Sequence, residues 1–106
     1  MRIIASLVVL GLFGPSALAL AASYTVHQRG RQFTSEVTTV RKDQPVSFLN
    51  DDTVPHNVFS TSSGNEFDLG SQPPGSSTEV TFTKAGTVEI ICAIHPRMRT
   101  TITVSE

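Results

Sequence analysis

The segment near the carboxyl terminus combines three side chains that bind soft and borderline metal ions. Cys92, His95 and Met98 follow one another at intervals of three residues, and Cys92 is the only cysteine of the chain. A thiolate, an imidazole and a thioether are donors that copper prefers, and His56 can add a second imidazole. Two histidines and a cysteine in one plane, with a weak axial methionine, characterise blue-copper electron-transfer sites. The sequence therefore predicts one copper ion, cycling between Cu(I) and Cu(II), bound by His56, Cys92, His95 and Met98.

Each of these residues also has a structural interpretation when it is considered alone. A cysteine without a disulfide partner is among the most buried residue types, a histidine can lie in a core, and Met98 can fill space there. The copper interpretation depends on the combination, because a tight loop that follows a strand can fold three donors around one ion. His27 has no donor near it in sequence, and strand alternation groups it with Thr25, so we predict a surface position for it.

The composition of the chain limits the classes of protein to which it can belong. The 106 residues carry a formal net charge of −1, with a pI near 6.3. Proteins that bind nucleic acids or membrane surfaces usually have a basic surplus, which is missing here. A single cysteine cannot form a disulfide within the chain, although so small a domain usually needs additional stabilisation. A bound metal ion would account for both the unpaired thiol and the missing cross-link.

Residues 1–22 have the pattern of a secretory signal peptide. A positive residue at the second position precedes the apolar run Ile3–Phe13, and small residues predict cleavage near Ala21 or Ala22. The alternative is an uncleaved membrane anchor, but Ile3–Phe13 alone is too short to span roughly 30 Å of hydrocarbon. We therefore predict a periplasmic protein whose working domain, residues 23–106, has no membrane span after cleavage.

Short segments with strand character, separated by turn signals, occupy this domain. Tyr24–Gln28, Thr78–Phe82 and Thr87–Cys92 alternate in polarity, whereas Phe33–Val40 alternates imperfectly and is predicted to be bent or at an edge. The polar segment Thr61–Pro74 is predicted to be the longest loop. Because no segment has the helical period, we predict an all-β Greek-key β-sandwich with seven to eight strands.

The residues next to the donors are suited to holding them in place. Pro55 restricts the backbone immediately before His56. Alternation puts Cys92 on the apolar face of its strand, so its sulfur is expected at the inner side of the sandwich. We predict that the amide of Asn57 forms a hydrogen bond to the Cys92 segment and joins the two donor-bearing parts of the chain.

Several segments together resemble the cupredoxins, in particular the small amicyanin-like and plastocyanin-like members of that family. They are Pro45–Asn50, Pro55–Phe59, Thr78–Phe82, Lys84–Thr87 and Cys92–Met98, and they span nearly all of the predicted domain. The short spacing from cysteine to methionine is most similar to the amicyanin version. The resemblance implies that His56, Cys92, His95 and Met98 are the copper ligands and that electrons pass through His95.

These features predict a carrier of single electrons and not an enzyme, since four protein donors leave no open position on the metal. The expected partners are redox proteins that a monomer meets transiently, with no nucleic acid among them. The resemblance suggests a quinoprotein dehydrogenase as donor and a c-type cytochrome as acceptor. Two alternatives are a copper-binding or copper-delivery protein and a fixed accessory electron-transfer subunit of a dehydrogenase or oxidase. A cysteine hydrolase fits less well, because cysteine and histidine on one tight loop leave no substrate cleft.

The charges around the metal loop predict where partners dock. Arg97 and Arg99 follow His95, and we expect them to border an apolar patch at the edge of its ring. Asp51 and Asp52, on the loop before the first histidine donor, are expected to form an opposing acidic rim. This arrangement would orient a partner as well as attract it.

Overall fold

The computed structural model describes residues 24–34 and 39–106, which form nine strands and no helix. The strands are β1 Tyr24–Arg29, β2 Gln32–Thr34, β3 Thr39–Arg41, β4 Pro45–Asn50, β5 His56–Ser60, β6 Phe67–Gln72, β7 Ser77–Thr81, β8 Gly86–Ile91 and β9 Arg99–Ser105. Within these ranges the structure contains no helix of the length and apolarity that crossing a membrane requires. The predicted signal peptide, residues 1–22, lies outside the described residues.

The strands form two sheets that face each other. One sheet has the order β2-β1-β4-β7 and the other the order β3-β9-β8-β5-β6. The pairs β1–β4 and β3–β9 are parallel and the remaining pairs are antiparallel. The chain crosses from one sheet to the other after β2, β3, β4, β6 and β7, as Greek-key connections do. The predicted all-β sandwich is therefore confirmed.

The core lies between the sheets and follows the alternation of the strands. Its buried members are Val26, Val40, Val46, Phe48, Val58, Phe82, Val88, Ile90, Ile102 and Val104. Each such side chain stabilises the fold by about 1.5–3 kcal/mol relative to exposure. Cys92 follows β8 on the same buried face as Val88 and Ile90 and has no exposed surface. The inward orientation predicted for its sulfur is thus confirmed.

The described residues contain nine strands, and the prediction of seven to eight was too low for two reasons. The segment Thr61–Pro74 is not a single loop, because β6 lies within it and pairs with β5 at the edge of a sheet. Its Ser, Gly and Asp residues are typical of a loop, but half of β6 is exposed, so the strand needs few apolar side chains. The segment Phe33–Val40 is also divided, since β2 belongs to one sheet and β3 to the other.

Candidate metal centre

Two neighbouring strands bring the predicted donors to one end of the sandwich. His56 is the first residue of β5, and Cys92 comes directly after the last residue of β8. Because β5 and β8 are antiparallel neighbours, with Phe59 opposite Ile91, the start of one meets the end of the other. His95 and Met98 belong to the turn that connects β8 to β9. The pairing of β5 with β8 thus brings His56 to the Cys92 loop.

Three of the four predicted donors converge. One donor atom from each of His56, Cys92 and His95 lies within 4.8 Å of the others. The Nδ1 atoms of the two imidazoles are 3.2 Å apart, and the rings meet edge to face with centroids 5.1 Å apart. His56 and Cys92 are fully buried, whereas His95 is half-buried. Two ring nitrogens and a sulfur directed at one point have the chemistry and spacing of a metal-binding site.

Backbone hydrogen bonds close the loop that carries Cys92. The backbone N–H groups of Asn57 and His95 both donate to Cys92 Sγ, at 3.3 and 3.4 Å. The Cys92 N–H donates to the carbonyl of Met98 at 3.0 Å, and the Met98 N–H donates to the carbonyl of His95 at 2.8 Å. Met98, the fourth predicted donor, is buried and held against Cys92 by its backbone. The loop is therefore a closed turn with a fixed sulfur direction.

Asn57 joins the two donor-bearing segments, as predicted. Its side-chain carbonyl accepts a hydrogen bond from the Ala93 N–H at 2.9 Å. Its amide nitrogen donates to Asp68 Oδ1 at 2.8 Å and to the carbonyl of Gly70 at 2.9 Å. The Gly70 N–H and the Asn57 amide lower the pKa of the Asp68 carboxyl. The side chain of Asn57 therefore fixes the Cys92 loop to both β5 and β6.

Asp52 contacts the side of the His56 ring that faces away from the donor cluster. Its Oδ2 lies 2.8 Å from His56 Nε2 and 2.9 Å from the backbone nitrogen of Arg31, and its Oδ1 accepts from the Thr53 N–H at 2.8 Å. The hydrogen bond from Arg31, followed by those from His56 and Thr53, holds the pKa of Asp52 far below its ordinary value. An ionised carboxylate only accepts hydrogen bonds, so Nε2 of His56 carries a proton, and in the neutral ring the lone pair is then on Nδ1.

The predicted acidic rim of Asp51 and Asp52 is wrong, because both carboxylates have partners within the chain. Asp51 Oδ2 lies 2.9 Å from His27 Nδ1 and 2.7 Å from Arg29 Nη2. Hydrogen bonding to His27, assisted by the charge of Arg29, lowers the pKa of Asp51. The side chain of His27 is 43% exposed, which agrees with its predicted surface position. No local pattern indicates these pairs, since their members are more than 20 residues apart in sequence.

A shallow groove of about 500 Å³ lies on the surface beside His95. It is lined by Arg31, Gln32, Ile94, His95, Pro96, Arg97 and Met98. Ile94 is 48% exposed, which is unusual for a large apolar side chain in this domain. The predicted apolar patch with Arg97 at its border fits this groove. Arg99 does not line this groove, and its Nη1 lies 4.0 Å from Glu89 Oε2.

Two residues of the groove were missed by the sequence-based prediction. Arg31 belongs to the β1–β2 turn and Gln32 is the first residue of β2, and both are distant from the metal loop in sequence. Gly30 and Arg31 both have positive φ, at 63° and 55°, as a two-residue hairpin turn of the primed type requires. This turn directs the Arg31 N–H to Asp52 while its side chain lines the groove. The available sequence signal was Gly30 between two strand-like segments, which marks a turn but does not show what the turn contacts.

Known proteins resemble this chain in both sequence pattern and fold. A family model described as a cupredoxin-like domain matches residues 2–104. No curated protein matches the sequence significantly. Among solved structures, an amicyanin mutant in the Cu(I) form has a TM-score of 0.71 and 22% identity, over 78% of this chain and 82% of that one. A purple cupredoxin from Nitrosopumilus maritimus has a TM-score of 0.68 and 21% identity, over 77% of this chain and 99% of that one.

A third solved structure shows a similar unit within a larger protein. The Cu-containing nitrite reductase NirK from Thermus scotoductus SA-01 superposes with a TM-score of 0.73 and 26% identity, over 93% of this chain but only 25% of that one. The two preceding likenesses, at 21–22% identity, establish a common fold. The family match extends over nearly the whole sequence and confirms the resemblance predicted from its residues. The chain belongs to the family of cupredoxin-like domains.

Proposed function

We propose that the chain is a type 1 copper protein that carries single electrons between larger redox proteins. The observation that carries the proposal is the convergence of one donor atom from each of His56, Cys92 and His95 within 4.8 Å, with the two Nδ1 atoms 3.2 Å apart. A thiolate and two imidazoles suit copper in both of its common oxidation states, and the thioether of Met98 suits a weak axial position. We therefore assign His56, Cys92, His95 and Met98 as ligands of one copper ion. Bound copper supplies reversible one-electron exchange at this site.

The residues around the donors support electron transfer because they resist movement. Two N–H groups orient Cys92 Sγ, and Asn57 ties the Cys92 loop to β5 and β6. Asp52 holds the His56 ring from its outer side. A donor set that is already in position changes little when its charge changes, so the reorganisation cost of each electron transfer is small. Four protein donors also leave no position for a substrate, which favours a carrier over an enzyme.

His95 is the best candidate for the entry and exit of electrons. His56, Cys92 and Met98 are buried, whereas His95 is half-buried and lines the groove that contains Ile94 and Pro96. A partner that covers this groove would come within contact distance of a copper ligand. Affinity must stay modest in transient complexes. An apolar surface from which the partner dissociates easily therefore suits a monomeric electron carrier.

We also propose that the protein is exported and acts in the periplasm. The proposal is supported by the signal-like sequence of residues 1–22, followed by a domain that begins near residue 23. The resemblance to amicyanin-like proteins suggests a quinoprotein dehydrogenase as donor and a c-type cytochrome as acceptor. Detection of the processed amino terminus by mass spectrometry of the exported protein would test the cleavage site near Ala21 or Ala22.

The electron-carrier proposal predicts a specific electrochemical response. Voltammetry of the copper-loaded protein should show a single reversible one-electron couple. Met98→Gln should retain copper and a strong visible band but lower the reduction potential, because an oxygen donor favours Cu(II) over Cu(I). Complete loss of copper binding in this variant would contradict the weak axial role of Met98. An irreversible couple in the unaltered protein would contradict the carrier function itself.

A fixed electron-transfer unit in a larger copper enzyme is the second candidate function. It is favoured by the superposition of 93% of this chain on a quarter of the nitrite reductase NirK. The two candidates differ in their assembly, because a carrier is isolated as a monomer whereas a fixed subunit co-purifies with its enzyme in stoichiometric amounts.

A copper-delivery function predicts rapid transfer of Cu(I) to a competing chelator. Burial of three of the four proposed donors disfavours such rapid transfer.

The charges of the groove predict how fast small redox reagents react. Arg31 and Arg97 both line it, while the carboxylates of Asp51 and Asp52 are bound within the chain. At low ionic strength, Arg97→Glu should slow oxidation by anionic hexacyanoferrate(III) about tenfold, because attraction becomes repulsion. The difference should fade as salt screens the charges. Stopped-flow absorbance measures the rate.

Two controls make this test specific. Arg41→Glu introduces the same charge change at an exposed position where β3 pairs with the far end of β9, and it should change the rate little. A cationic cobalt(III) complex should not be slowed by Arg97→Glu. Equal rates for the unaltered protein and Arg97→Glu at low salt would show that the groove charges do not steer reagents to His95. The same result would show that Arg97 does not attract a redox partner electrostatically.

A further inference from the structure

We propose that Asp52 is a positioning residue of the metal centre that fixes the His56 ring and favours the oxidised ion through its negative charge. The inference rests on the proposed function, because it assigns His56 as a ligand. The sequence suggested a docking role for Asp52 at the surface. The structure instead puts its Oδ2 2.8 Å from His56 Nε2, with only 12% of the Asp52 side chain exposed.

The carboxylate of Asp52 is held from several directions. Besides His56, the Arg31 N–H donates to Oδ2 and the Thr53 N–H donates to Oδ1. The backbone N–H of Asp52 itself donates to Asn50 Oδ1 at 2.9 Å. Any other side-chain rotamer would break the hydrogen bonds to both carboxylate oxygens. The negative charge is therefore fixed in position and orientation relative to the His56 ring.

Buried amides attach the loop that carries Asp52 to the core. Asn50, which has no exposed surface, donates from Nδ2 to the carbonyl of Val54 at 3.0 Å and to the carbonyl of Gln72 at 2.8 Å. The buried Gln72 side chain in turn accepts a hydrogen bond from Gln28 Nε2 at 2.8 Å. The residues that flank Asp52 in sequence are thus fixed to strands of both sheets. Such an attachment would keep the carboxylate in place while the charge at the metal changes.

The position of Asp52 has two chemical consequences. When the Nε2 proton points to the carboxylate, the neutral His56 ring presents the lone pair of Nδ1 to the donor cluster. The hydrogen bond to the carboxylate also makes Nδ1 a more basic metal ligand. The carboxylate also puts a full negative charge one hydrogen bond away from a copper ligand. Because Cu(II) carries one more positive charge than Cu(I), this charge stabilises Cu(II) more and lowers the reduction potential.

The test compares Asp52→Asn with Asp51→Asn. Both variants remove one negative charge, but Asp51 contacts His27 and Arg29 and not His56. In Asp52→Asn, the ratio of the Cu(II) to the Cu(I) binding constant should fall about tenfold, which raises the one-electron potential by about 59 mV. In Asp51→Asn the ratio should change less than about threefold. Asp52→Glu keeps the charge and should restore most of the potential.

A second measurement does not depend on copper. In the metal-free protein, nitrogen NMR should show the neutral His56 ring protonated at Nε2 only, whereas Asp52→Ala should give a mixture of the two ring tautomers. Equal potential shifts in Asp52→Asn and Asp51→Asn, or an unchanged tautomer in Asp52→Ala, would overturn the inference. If the unaltered protein forms no blue copper complex, the proposed function fails. In that case the tautomer measurement still decides whether Asp52 fixes the His56 ring.

Discussion

Replacing Cys92 with serine is expected to abolish the strong visible absorption of the Cu(II)-loaded protein. In the proposed site this absorption arises from charge transfer between the Cys92 thiolate and Cu(II), and a hydroxyl group has no comparable transition. The soft thiolate is also the donor that Cu(I) prefers most. Removing a residue that only supports a ligand can lower metal affinity by about 100-fold. Because Cys92 is itself a proposed ligand, we expect Cu(I) affinity to fall by at least about 100-fold.

The fold of the Cys92→Ser variant should remain intact, which makes the comparison informative. Serine is similar in shape to cysteine, and its oxygen can still accept hydrogen bonds from the Asn57 and His95 N–H groups that now contact Cys92 Sγ. Circular dichroism and denaturant unfolding of the metal-free variant would verify this. An equally intense visible band in Cys92→Ser would mean that the sulfur is not bound to copper.

Replacing Asn57 with alanine is expected to have the largest effect on the stability of the metal-free protein among single changes near the site. The buried side chain forms hydrogen bonds to the Ala93 N–H, Asp68 Oδ1 and the Gly70 carbonyl. Asp68 and Gly70 are exposed and can bind water instead, so the main cost is the loss of the Ala93 contact and the cavity. The free energy of unfolding should fall by about 2 kcal/mol, as measured by urea unfolding.

Asn65 provides a matched control for this change. It is also a buried asparagine that joins distant segments, accepting from the Thr83 N–H at 3.1 Å and donating to the carbonyl of Lys84 at 2.9 Å. Asn65→Ala should lower stability to a similar degree without altering the copper spectrum. Asn57→Ala should also shift the reduction potential, because the Cys92 loop loses the side-chain hydrogen bond that attaches Ala93 to β5. An unchanged potential in Asn57→Ala would contradict the role of Asn57 in positioning the loop.

Local patterns in the sequence were sufficient to predict the parts of the fold that bury one face. Alternation identified Tyr24–Gln28 and Thr87–Cys92 as strands because every second side chain there packs into the core. The donor residues could be predicted because their chemistry is rare and their spacing is short. Strand β6 could not be predicted, since an edge strand with half of its residues exposed resembles a loop in composition.

Contacts between distant segments could not be predicted from local patterns. The hydrogen bond of Asp52 to the Arg31 N–H joins residues 21 positions apart, and the bond of Asn57 to Ala93 spans 36 positions. A carboxylate in a polar loop is solvated by default, which is why Asp52 was expected on the surface. The role of Asp52 depends on the sheet order, which places the β1–β2 turn next to the loop before β5.

The visible absorption of the purified protein during titration with Cu(II) tests the central claim most directly. If His56, Cys92 and His95 bind copper as proposed, with Met98 as the axial ligand, an intense blue colour should develop and saturate at one equivalent of copper. A colourless Cu(II) complex, or binding that does not saturate at one equivalent, would contradict the assignment of a type 1 copper site.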